Sequence, residues 1–147
     1  MKTHRTTLSP RFRKTLLASL LIPLFSPIYS WAAQTISVTD GTTVPISGEY
    51  GTDGEYQPAV VVQGTDSTVT GVSDLTINTT ARGANGVNVS NGGSLNLENS
   101  TIKTNGVVAY GINNNKGSVV LNGGSITTMG QQGNGVHSTG IGSRTSL

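Results

Sequence analysis

Apolar and polar residues alternate along most of this chain in short runs. Val87 and Val89 straddle Asn88, Leu95 and Leu97 straddle Asn96, and Ile102 and Thr104 straddle Lys103. Alternation of this kind sends one side chain inward and its neighbour out to water, the mark of a half-buried strand. No window carries apolar residues at helical spacing over three turns. The runs are rich in branched residues and end in Gly, Asn or Asp clusters, which read as turns. The pattern therefore predicts an all-β chain of short strands.

The strands repeat. "GSLNLENSTIKTNG" begins at Gly93, and its near-copy "GSVVLNGGSITTMG" begins at Gly117. Ser94 matches Ser118, Leu95 matches Val119, Leu97 matches Leu121, Ile102 matches Ile126, Thr104 matches Thr128 and Gly106 matches Gly130. The pairs Gly86-Val87, Gly111-Ile112 and Gly135-Val136 extend the register at nearly the same spacing. Upstream, Ile77 leads Gly86 by the same interval as Ile102 leads Gly111 and Ile126 leads Gly135. "TVTG" at Thr68 takes the place of "SLNL" and "SVVL", and "AVVVQG" at Ala59 reads as a degenerate first turn. Periods of this length belong to solenoids and arrays.

Each period holds three short strands and no helix. Gly83, Gly92, Gly93, Gly106, Gly117, Gly123 and Gly124 fall at the corners, where a positive φ or a side-chain-free bend is expected. The predicted fold is a right-handed single-stranded parallel β-helix of about 3–5 rungs. One coil cannot bury its inward residues alone. The next coil, about 4.8 Å away, supplies the hydrogen-bond partners and the floor of the core. Leu95 is thus expected to lie on Val119 and Ile102 on Ile126. An antiparallel sandwich is the rival arrangement, but it predicts no fixed period.

The segment 1–32 does not share this pattern. Lys2, Arg5, Arg11, Arg13 and Lys14 form a basic head, followed by the apolar run "TLLASLLIPLFSPIYSWAA", broken by Pro23 and Pro27. That order describes a secretory signal peptide, whereas a membrane anchor needs about 20 unbroken apolar residues. Cleavage after Ala32 puts Ser30 and Ala32 at the small-residue positions. Cleavage after Ala33 would place Trp31 there instead. The expected organisation is a signal peptide at 1–32, an N-terminal cap with degenerate first rungs at 33–73, and regular rungs, each one period long, at 74–147.

Removing the leader reverses the charge. The whole chain carries nine Lys and Arg against seven Asp and Glu. Five of the cations leave with the leader and every acid stays, so four face seven and the net charge is −3. No basic patch remains to follow a phosphate backbone, which sets nucleic-acid binding aside. All twenty glycines stay, and there is no cysteine to staple a small exported domain.

Candidate chemistry is sparse. Asp40, Glu49, Asp53, Glu55, Asp66 and Asp74 are scattered ahead of the regular repeats, and Glu98 beside Lys103 is the single acid within them. One carboxylate makes no acid/base pair. Asp53 and Glu55 in "GTDGEY" read as a solvated turn. Arg82, Lys103 and Lys116 read as solvated corners. His137 is the one histidine after the leader, so neither a catalytic triad nor a His-based metal site can be assembled. The run Asn113, Asn114, Asn115 reads as a corner, where Asn tolerates left-handed backbone; no Asn repeats at one position through three periods, as a stacked ladder would need. No catalytic, cofactor-binding or metal-ligating residue is expected, and no cofactor.

Rungs such as "GANGVNVSNGGSLNLENSTIKTNG" and "VVAYGINNNKGSVVLNGGSITTMG", behind a signal peptide, resemble the passenger region of bacterial autotransporters of the pertactin-like and AIDA-like kind. The resemblance covers most of the chain after the leader, best from Asp74 to Gly140. It implies a structural or adhesive surface segment without chemistry of its own, meeting host or bacterial surface ligands through its rung faces. A β-helical carbohydrate-active enzyme fragment lacking its catalytic residues, or a truncated product without function, are the alternatives. No stretch of these residues reads as the eight or more strands of a C-terminal translocator barrel. The closing "GIGSRTSL" reads as entry into another rung, with Ser143 near the place of Ser118 and Leu147 near that of Leu121. The chain is thus expected to be an N-terminal piece of a longer passenger. The implied location is the cell surface or outer membrane for a full-length autotransporter, and the periplasm if this chain is the whole product. The open C-terminal edge is expected to self-associate.

Overall fold

The computed structural model describes residues 34–147 apart from Ser73; the expected signal peptide, 1–32, lies outside the described residues. Strands β1 (Ile36–Val38), β2 (Thr43–Ile46) and β3 (Glu49–Thr52) form a first coil. A second follows with β4 (Val60–Gln63), β5 (Thr68–Gly71) and β6 (Thr76–Thr79). The third holds β7 (Val87–Ser90) and β8 (Ser94–Thr104), and the fourth β9 (Ile112–Asn115) and β10 (Ser118–Thr128). Strands β11 (Val136–Thr139) and β12 (Arg144–Ser146) open a fifth. Every strand pairing is parallel. The described chain is a parallel β-helix of about four turns.

Like lies on like, as the period requires. Val119 pairs with Leu95, Leu121 with Leu97 and Ile126 with Ile102. Three apolar columns run through the stack. Ile36, Val60, Val87, Ile112 and Val136 make one; Val44, Val69, Leu95 and Val119 the second; Tyr50, Ile77, Ile102 and Ile126 the third. The middle members are fully buried, and each contributes about 2 kcal/mol by leaving water.

Two details depart from the sequence expectation. "AVVVQG" is the second turn and not the first, because Ile36–Val38 already pair with Val60–Val62. The second and third strands of coils three and four run on as single long strands, β8 and β10. Each bends where the backbone turns left-handed, at Asn99 (φ 45°) in β8 and at Gly123 (φ 72°) and Gly124 (φ 91°) in β10.

A threonine column closes the first four coils. Thr52, Thr79, Thr104 and Thr128 stack in register at the end of the third strand. Thr79 Oγ1 donates to the Ala84 carbonyl at 2.6 Å, Thr104 Oγ1 to Ala109 at 3.5 Å and Thr128 Oγ1 to Gly133 at 3.5 Å. Each bond ties a strand end to the corner that starts the next coil. At Thr79 the bond is short and fully buried. Thr79→Val keeps the shape but strands the Ala84 carbonyl, so a loss of about 1–2 kcal/mol is expected on urea unfolding. Thr128→Val, at the half-buried end of the column, should lose clearly less.

The corner between first and second strands shortens from the second coil to the fourth. The interval from the start of one strand to the start of the next falls from Val60–Thr68 to Val87–Ser94, and again to Ile112–Ser118. The shortest corner is closed by a side chain. Gly93 N–H reaches back to the Ser90 carbonyl, whereas Gly117 N–H bonds Asn114 Oδ1 at 3.0 Å. Asn114 sits in the column after Val89, wholly buried. Its Nδ2 has the carbonyls of Gly117 (3.2 Å) and Arg144 (2.9 Å) in reach. The reading of Asn113–Asn115 as a left-handed corner therefore fails: all three lie in β9, Lys116 (φ 62°) takes the left-handed place, and Asn114 points into the core, where its amide replaces a missing turn residue. Asn91 (φ 52°) and Asn99 (φ 45°) do take the left-handed role.

Candidate functional site

The ionisable residues are placed one by one around the coils. Asp40 stands at the corner after β1, Glu49 begins β3, and Asp53 and Glu55 occupy the exposed turn after it, as expected for a solvated turn. Asp66 and Asp74 sit at corners with φ of 66° and 70°. Glu98 and Lys103 are exposed on β8, so Lys103 is a strand residue and not the corner residue expected; Arg82 and Lys116 are at corners. Among the described residues no three His, Cys, Asp or Glu stand close enough to share a metal ion. Asp40 is held by its neighbour Thr42. The Thr42 hydroxyl donates to its carboxylate at 2.6 Å and the Thr42 N–H at 3.2 Å, and these bonds hold the carboxyl below the usual range.

One outer face carries an aromatic pair. Tyr110 and His137 stack with ring centroids 4.6 Å apart and planes 17° from parallel, close to the spacing between coils. Asn85 anchors them: its Oδ1 accepts from the Tyr110 N–H at 2.8 Å while its Nδ2 donates to Asn88 Oδ1 at 2.9 Å. Asn88, Asn113 and His137 lie in one outward column. The sequence offers no signal for this pair, because the two rings sit at different offsets within their coils.

The larger feature is the C-terminal end of the stack. Strand β12 covers only Ser118–Val120 of β10, so Ser125–Thr128 has no strand beyond it among the described residues. An open apolar groove results, lined by Leu97, Ile102, Leu121, Ile126, Val136 and Leu147. Ser143 falls one residue short of its expected place: Ser118 pairs with Arg144. The reason is the fifth coil's corner, which is longer from Val136 to Arg144 than its counterpart from Ile112 to Ser118 in the fourth. Leu147 reaches the groove beside Leu121, as the sequence register suggests.

The geometry offers polar outer columns, one stacked aromatic pair and an open apolar end, and among the described residues no grouping of acid, base and nucleophile. No family model, curated protein or solved structure matches this chain.

Proposed function

We propose that this chain is the N-terminal part of an autotransporter passenger, a structural and adhesive segment of the cell surface with no chemistry of its own. The observation that supports it most is how the side chains are sorted. Branched apolar residues fill the inward columns, while Asn, Ser, Thr and single charges are spread over continuous outer faces. Such faces suit many weak contacts along a length better than one tight pocket. The leader, read from sequence, supplies the export step, and host or bacterial surface ligands are the partners that the outer columns would meet.

Expression in a Gram-negative host tests both parts. The expected product begins at Ala33, leaves the cytoplasm, and makes coated beads adhere to cells. Asn88→Asp with Asn113→Asp, which adds two charges to one outer column, should weaken that adhesion severalfold without unfolding the chain. A product that keeps Met1 and stays in the cytoplasm overturns the export reading. Beads that adhere no better than uncoated ones overturn the adhesive one.

A further inference from the structure

Five Asn-Gly steps occur in the chain, at Asn85, Asn91, Asn105, Asn122 and Asn134. Such a step is chemically labile. The glycine nitrogen, with no Cβ to shield it, can attack the asparagine side-chain carbon Cγ. A nitrogen–carbon bond forms, the glycine amide proton goes to the departing Nδ2, and ammonia leaves a five-membered succinimide. Water then opens that ring at either carbonyl. The product is aspartate, or isoaspartate with the main chain rerouted through the side chain. The attack needs a glycine N–H that no carbonyl holds. A bonded N–H neither turns towards Cγ nor gives up its proton until that bond is broken.

Three of the five steps lie in coil three, with coil two on one side and coil four on the other, so the same stacking surrounds them all. Their glycines differ. Gly86 N–H donates to the Tyr110 carbonyl at 2.9 Å, and Gly92 N–H to the Lys116 carbonyl at 2.8 Å. Asn85 is held as well, since its amide accepts from Tyr110 N–H and donates to Asn88. Asn105 follows β8 at the corner and is exposed. Its own N–H donates to the Thr79 carbonyl at 2.9 Å, but Gly106 N–H has no hydrogen-bond partner among the described residues. Asn91 is exposed too, so the glycine amide sets Asn105 apart, and not access to water.

The corner has no room for the rearranged product. A Cβ on Gly106 would fall against the Ala81 carbonyl oxygen, and one on Gly130 against the carbonyl of Gly106 itself. The Gly106 backbone is thus pressed between coils two and four, and an added main-chain methylene must push them apart. We propose that Asn105 is a site of spontaneous covalent modification, losing its side-chain amide through Gly106 while Asn85 and Asn91 keep theirs, and that the isoaspartate formed there loosens the stack. The inference is independent of the adhesive reading and of anything beyond either end of the stack. The change needs no enzyme, so it accumulates with time and marks the age of the molecule.

Incubation of the full chain at mildly alkaline pH, followed by trypsin and mass spectrometry, tests this. Trypsin cuts after Arg82, Lys103 and Lys116, which puts Asn105 in one peptide and Asn85 with Asn91 in another. In the folded chain the Asn105 peptide should gain about 1 Da roughly tenfold faster than the other, the factor carried by one hydrogen bond. In chain unfolded by urea the rates per Asn-Gly step should converge, and Asn105→Gln should remove the gain from its peptide. Converted chain, separated by anion exchange on its added charge, should unfold at lower urea than unconverted chain. Asn85 or Asn91 converting as fast as Asn105 in the folded chain overturns the proposal. So does an Asn105 peptide that stays unchanged while unfolded chain converts. Equal urea midpoints overturn the loosening.

Discussion

Replacing Gly111 with alanine is expected to cost about 3 kcal/mol, while the same change at Gly135 shifts stability by less than about 0.5 kcal/mol. Both glycines stand in one column at the start of a coil, each just before the first strand. A Cβ on Gly111 would lie 2.5 Å from the Gly135 carbonyl oxygen and closer still to Ile126 Cγ2. Backbone cannot retreat without breaking the Ile112 N–H bond to that same carbonyl, 2.9 Å long. A Cβ on Gly135 meets only Ile126 Cγ2, at an ordinary 3.7 Å, because no described coil lies beyond it. Neither residue has a positive φ, so the difference is steric and not conformational. Urea titrations of the two variants check it, and equal losses would mean that the glycine column does not mark coil contact.

Ile102→Ala should cost about 3–4 kcal/mol and Ile126→Ala about half as much. Ile102 is 1% exposed, held between Ile77 and Ile126. Truncation there leaves a hole that two rigid neighbours cannot close. Ile126 has Ile102 on one side and the open groove on the other, so water already reaches part of it. Urea titrations of both variants check it, and equal losses would mean that Ile126 is covered as fully as Ile102.

The coil period is legible because each inward residue must touch its equivalents above and below. That constraint holds Leu95 to Val119 and Ile102 to Ile126, while outward Glu98 and Lys103 answer to solvent alone. Legibility fails where corners change length. The threonine column shows in Thr104 and Thr128, one period apart, but the step from Thr52 to Thr79 is longer and hides it. Asn114 misleads for the same reason: a corner shorter than the second coil's turns an expected surface asparagine inward. The first coil is hard to see because its inward set mixes Tyr50 and Thr52 with Ile36 and Val44, which obscures the repeat. The order of residues already separates charge, with six acids and no Lys or Arg in 34–74 and three Lys or Arg and no acid in 99–147. It becomes meaningful only when the chain is wound so that sequence position becomes height.

The backbone bonds between coils lie along the solenoid axis, and each coil holds only its neighbours. Under tension between its two ends the molecule would not shear as one block. It would peel, one turn at a time, each release freeing about 80 Å of extended chain. The polar, half-covered last turn should let go first and the dry middle turns last, so a tether built this way yields in graded steps and absorbs work before it parts.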